Sequence, residues 1–78
     1  MRRLPVVSSN DVIRALRRAG FLYAPKRGKG SYAALYRVDA RGRSRLVIVP
    51  KRDELPRGTL KAILEQAGLT TDMFAELL

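Results

Sequence analysis

Ser31-Tyr32-Ala33-Ala34-Leu35-Tyr36-Arg37-Val38, then Asp39-Ala40-Arg41-Gly42-Arg43, then Arg45-Leu46-Val47-Ile48-Val49 closed by Pro50, is the stretch that decides the fold. It reads as a β-hairpin, because two runs of aromatic, aliphatic and β-branched residues flank a turn carrying Asp and Gly. A period of two puts Tyr32, Ala34 and Tyr36 on one face and Ala33 and Leu35 on the other. The small and aliphatic pair suits packing beneath helices, which leaves both tyrosines on the open face. Leu46-Val47-Ile48-Val49 is apolar on both faces, whereas a sheet with one wet face alternates. Two of these side chains are therefore expected to face solvent or a partner chain, unless the C-terminal helix covers them.

Upstream, Phe21-Leu22-Tyr23-Ala24 reads as another short strand stopped by Pro25, and Lys26-Arg27-Gly28-Lys29-Gly30 as a glycine-bearing hairpin loop. A helix precedes it, near Ser9 to Ala19. Ser8 and Ser9 are its candidate N-caps, with Asp11 in the capping-box position. Val12, Ala15, Leu16 and Ala19 fall on one side with Ile13 at the edge, and Arg14, Arg17 and Arg18 fall opposite. Gly20 serves as its C′ residue. Downstream, a second helix is expected after Leu55-Pro56-Arg57-Gly58-Thr59, capped by Thr59. Its apolar face is Leu60, Ile63, Leu64 and Ala67, and Gly68 is its stop. Thr70 or Thr71 caps a last short helix holding Met73, Phe74, Leu77 and Leu78. The order is α-β-β-β-α plus a short C-terminal helix. It predicts an α+β fold like the double-stranded-RNA-binding domain: a three-stranded antiparallel sheet with the helices on one face. Residues 1–7 are expected to form a flexible N-terminus and residues 8–78 a single domain.

The 78 residues hold 16 Lys and Arg against 7 Asp and Glu, a net charge of +9, with no His and no Cys. The missing thiols and imidazoles exclude disulfides, Cys or His metal centres and thiol catalysis, and remove the commonest general base. No metal site and no cofactor is expected. No apolar run approaches the ~18 residues of a membrane span, and the apolar stretch after Met1-Arg2-Arg3 is too short for an export signal. A cytoplasmic protein is the expectation. The surplus of positive charge favours a polyanion such as nucleic acid as partner.

Several residues are candidates for contact with that partner. Two glycines let the backbone of Lys26-Arg27-Gly28-Lys29-Gly30-Ser31 approach an anion among three cations. Tyr32 and Tyr36 on an open basic sheet face suit stacking on unpaired bases, and equally suit cross-strand packing. Arg37, Lys51, Arg52 and Arg57 are general phosphate contacts. The Arg face of the first helix is read as a solvated surface.

Several segments, in order, resemble the HicA (YcfA-like) toxin family of toxin–antitoxin modules: Asp11-Val12-Ile13-Arg14-Ala15-Leu16 through Ala19-Gly20-Phe21, Lys29-Gly30-Ser31, Leu46-Val47-Ile48-Val49-Pro50, and the run from Leu55-Pro56-Arg57-Gly58-Thr59 to Ala67-Gly68-Leu69. The last is the most specific. The resemblance implies an RNA-binding domain of α-β-β-β-α type, metal-free cleavage of mRNA, and a HicB-like antitoxin that covers the active face. It also implies a catalytic histidine directly after Gly-Ser, and this chain has Tyr32 there. Cleavage needs a base for the 2′-OH proton and an acid for the 5′-oxygen. An imidazole with a pKa near ~6.5 serves as either, whereas a phenol ordinarily titrates near ~10. The alternative is a catalytically silent module on the same fold that binds RNA, DNA or protein.

Overall fold

The computed structural model describes residues 4–24 and 30–78. The elements follow the expected order: α1 Ser9–Arg18, β1 Leu22–Tyr23, β2 Tyr32–Val38, β3 Ser44–Pro50, α2 Arg57–Ala67 and α3 Thr71–Leu77. The strands form one antiparallel sheet, β1-β2-β3. Asp39 builds the β2–β3 turn. Its Oδ1 accepts from the N–H groups of Arg41 and Arg43, both at 2.9 Å, and its own N–H donates to the Arg43 carbonyl at 2.8 Å. A side chain that satisfies two turn donors pins the register. Ala33 then lies opposite Val49 and Leu35 opposite Val47, and all four are buried.

Those four form the sheet's share of the core. Val12, Ala15 and Leu16 of α1 and Leu60, Ile63, Leu64 and Ala67 of α2 supply the rest, with Phe21 and Phe74 fully buried between elements. Both helices therefore cover one face, as the apolar spacing requires. α3 packs against α1. Leu46 is 38% exposed on the open face, in a cross-strand row with Tyr36 and Leu22. Residues 4–7, expected to be loose, run along the core: Val7 is buried and its carbonyl accepts from Leu55 N–H at 2.9 Å.

The helix ends show where the sequence reading needs correction. Ser8 is the N-cap of α1, its Oγ accepting from Asp11 N–H at 3.1 Å while the Asp11 carboxylate accepts from Ser8 N–H at 3.0 Å. α2 begins at Arg57, earlier than expected, and Thr59 lies inside its first turn. Pro56 is the N-cap, without a side-chain bond. The proline ring presets φ at −56°, and its carbonyl accepts Leu60 N–H at 3.0 Å, so the helix starts without a hydroxyl. Gly20 at φ +93° and Gly68 at φ +72° end α1 and α2 in the left-handed region that other residues enter at a cost of roughly 1–2 kcal/mol. β3 is the longer of the sheet's two edge strands. Pro50 removes one donor there, and Gln66 Oε1 of α2 accepts another from Ile48 N–H at 3.3 Å, which blunts the edge against strand pairing. Among the described residues, no helix is long and apolar enough to cross a membrane.

The capping box makes stability depend on pH. The hydrogen bonds from Ser8, aided by the Arg14 guanidinium 2.7 Å away, hold the Asp11 carboxyl below its usual 3.8. A depressed folded pKa stabilises the fold above the unfolded value and ceases to do so as pH falls through the folded one. The gap in urea midpoint between wild type and Asp11→Asn is expected to be constant between pH ~6 and ~7 and to close below pH ~4. A gap that persists in strong acid would mean that Asp11 acts through packing alone.

Candidate functional site

The site is assembled by one buried hydroxyl. Ser9 is buried at the start of α1. Its N–H donates to the Arg52 carbonyl at 3.0 Å, its Oγ donates to the same oxygen at 3.1 Å, and its Oγ accepts from Arg52 N–H at 3.1 Å. A second tie, Lys51 N–H to the Ser31 carbonyl at 3.0 Å, continues the β2–β3 ladder one residue past the strands. Together they bring the start of α1, the start of β2 and the exit of β3 to one corner of the sheet.

Two adjoining hollows occupy that corner. One, of about 460 Å³, is lined by Asn10 and Ile13 of α1, Tyr23 and Ala24 at β1, Gly30, Tyr32 to Ala34, and Lys51. The other, of about 420 Å³, lies between Ser8–Asn10 and Lys51–Asp53. Asn10 and Lys51 line both, so the two hollows adjoin and together make a grooved corner. Tyr32 is half-buried in its wall, while Gly30, Lys51 and Arg52 are exposed. Among the described residues, the Lys51 ammonium and the Arg52 and Arg57 guanidiniums form no ion pair, and the Tyr32 hydroxyl and Asn10 amide have no hydrogen-bond partner. The corner thus offers free donors and cations around an aromatic ring, a set that suits an anionic, partly aromatic ligand.

The sequence-predicted residues divide between this corner and other places. Tyr32, Gly30, Lys51 and Arg52 line the groove, and exposed Ser31 is joined to Lys51. Tyr36 shares the open face with Tyr32 but stands four residues along β2, roughly 13 Å away, next to Leu22 and Leu46. Arg57 is exposed at the start of α2 and lines neither hollow. Lys26, Arg27 and Lys29 lie outside the described residues. Arg37 is on the helix-covered side: its Nη1 donates to the Ala19 carbonyl at 2.9 Å and its guanidinium lies 5.0 Å from the Phe21 ring centroid. Asn10, Ile13 and Tyr23 line the groove without having stood out in the sequence. The aromatic residue in the short first strand was the available signal for Tyr23. Its ring is held by Arg17, whose guanidinium lies 5.0 Å from the centroid.

Fold and site together define a small basic α+β domain with a polar, cationic groove at one corner of an otherwise open sheet. The family model for the HicA toxin of bacterial toxin–antitoxin modules matches residues 9–69, well over half of the chain. The chain belongs to the HicA toxin family, which makes it the toxin of such a module and implies an antitoxin partner. No curated protein matches the chain closely enough to add a relative.

The positions of Arg37 and Lys51 predict opposite behaviour. Arg37→Met is expected to lower stability by about 1–3 kcal/mol, because it removes a charged hydrogen bond to a helix end and a ring contact. Lys51→Met is expected to stay within about 0.5 kcal/mol of wild type. Urea denaturation followed by circular dichroism measures both, and a loss for Arg37→Met within about 0.5 kcal/mol would show that Arg37 has no structural role.

Proposed function

We propose that the chain is an RNA-binding toxin that takes unpaired RNA into the corner groove, with Tyr32 at the family's catalytic position. The observation that carries this reading is the shared lining of Tyr32 and Lys51: a phenol and an ammonium, neither with a partner among the described residues, beside an exposed glycine. Lys51 and Arg52 contact phosphate on one side of the ring, and Gly30 and Ser31 offer close backbone approach on the other. Lys26, Arg27 and Lys29, next to Gly30 in the chain, add cations to the approach. Arg57 contributes long-range attraction rather than a place in the groove.

The chemistry of metal-free cleavage then sets what each group does. The 2′-oxygen attacks phosphorus as the bond to the 5′-oxygen breaks, so one proton leaves the 2′-OH and another must reach the departing oxygen. A phenol is suited to donate a proton or a hydrogen bond, and Lys51 is suited to offset the charge that builds on the non-bridging oxygens. The chain has no histidine to accept the first proton, which therefore passes to solvent water or hydroxide. Binding is therefore the stronger part of the activity, and mRNA cleavage, where it occurs, depends on Tyr32. The row Leu22, Tyr36 and Leu46 on the open sheet face is the apolar surface on which a HicB-like antitoxin would rest while covering the groove.

Incubation of long single-stranded RNA with purified protein in EDTA tests the reading. Salt-dependent binding by wild type is expected, with affinity falling steeply as salt rises. Tyr32→His is expected to cleave faster than wild type, and Tyr32→Phe to bind without cleaving. Cleavage by Tyr32→Phe at the wild-type rate would remove Tyr32 from the chemistry, and salt-independent binding or none at all would remove RNA.

A further inference from the structure

We infer that the hollow between α1, β1 and β2 receives a single unpaired nucleobase, which Tyr23 holds by stacking and which the Asn10 amide reads along its edge. The inference rests on the RNA-binding reading and names the form of RNA and the residues that select it. Three observations lead to it. The hollow has about 460 Å³, within the ~300–1,000 Å³ range of pockets that bury small ligands. A recess of that kind is reached by a base that has left a helix, whereas a duplex keeps its bases stacked and offers a backbone surface instead.

The lining is divided as a base requires. Ile13, Ala24 and the two alanines of β2 supply apolar surface, Tyr23 supplies an aromatic ring on the helix-covered side, and Asn10 and Lys51 supply an amide and an ammonium. Every base has an aromatic face, so stacking gives affinity without choice. Choice needs a donor and an acceptor held side by side, which an amide provides and an ammonium does not. Asn10 is the one amide of this lining, and its side chain is left without a hydrogen-bond partner among the described residues. Its position is fixed, because the neighbouring Ser9 is clamped to Arg52.

Tyr23 is the third element. It is 51% exposed, so it contributes little to the core, and the Arg17 guanidinium lies 5.0 Å from the centroid of its ring. An exposed aromatic side chain beside a cation is suited to stacking on an anionic, aromatic ligand. Lys51, shared with the neighbouring polar hollow, is placed to meet the phosphate attached to the bound base.

Fluorescence anisotropy with short homopolymers of A, C and U and with a matched A·U duplex tests the inference. Wild type is expected to bind single strands more tightly than the duplex and to prefer one homopolymer. Tyr23→Ala is expected to weaken every single strand by about tenfold, the loss of one stacked base, with Tyr23→Phe restoring affinity. Asn10→Ala is expected to level the homopolymers while leaving the weakest of them within about twofold of its wild-type affinity. Circular dichroism of each variant separates loss of fold from loss of contact. Single strands bound with unchanged affinity by Tyr23→Ala, an unchanged preference in Asn10→Ala, or duplex bound as tightly as single strand would each overturn the inference while leaving RNA binding in place. Absence of binding to every probe by wild type would overturn both.

Discussion

The whole corner of the molecule depends on Ser9, a buried polar residue that both donates to and accepts from the backbone of Arg52. A hydroxyl sealed from water is costly unless its bonds are made, so this contact has one acceptable geometry. That geometry ties α1 to the chain leaving β3 across a sequence separation of 43 residues. The hairpin register fixed by Asp39 sets where β3 ends. The Ser9 contact sets where α1 begins relative to that end. Neither alone would bring Asn10 beside Lys51 and Tyr32, and both are made by short polar side chains bonded to backbone rather than by the apolar core.

The positive charge is less uniform in purpose than its total implies. Three arginines lie at helix C-termini, where carbonyl groups are left without intrahelical partners. Arg37 donates to the Ala19 carbonyl after α1, Arg18 donates to the Leu77 carbonyl of α3 at 2.8 Å, and the Arg45 guanidinium lies against Gly68 after α2. Arg14 is paired with Asp11 and Arg17 lies over Tyr23. These five hold the fold or a ring in place. The cations left for a polyanion among the described residues include Lys51 and Arg52 in the groove. A count of charges therefore exaggerates the surface open to nucleic acid, and position decides which residues are part of it.

Much of the fold was legible because its signals are local. Alternation along Tyr32 to Tyr36 and the apolar spacing of Val12, Ala15, Leu16 and of Leu60, Ile63, Leu64, Ala67 each report one buried face. Ser8 and Thr70 cap as serine and threonine do. The start of α2 was misplaced because a proline with a fitting φ needs no hydroxyl beside it. Arg37 looked like a surface cation because alternation gives a face but not what occupies it; here that face holds the end of α1, and the long side chain crosses to it. Tyr23, Ile13 and Asn10 were missed as lining residues because elements distant in sequence converge on the hollow, and no spacing rule carries that information.

The groove and the apolar row lie on different parts of the same sheet, and on the proposed reading this separation bears on how one small surface would serve two partners. Tyr32 stands at the start of β2 beside the polar groups of the groove, whereas Tyr36, four residues on, stands between Leu22 and Leu46. A base and a phosphate need donors and cations, and an apolar protein surface needs their absence. On the proposed reading, an antitoxin gains its affinity from the row around Tyr36 and blocks the groove by reaching only a few residues further along the strand. Inhibition then requires no imitation of RNA. It requires contact with apolar side chains that the RNA site does not use, so the demands of binding RNA and of being restrained fall on different residues.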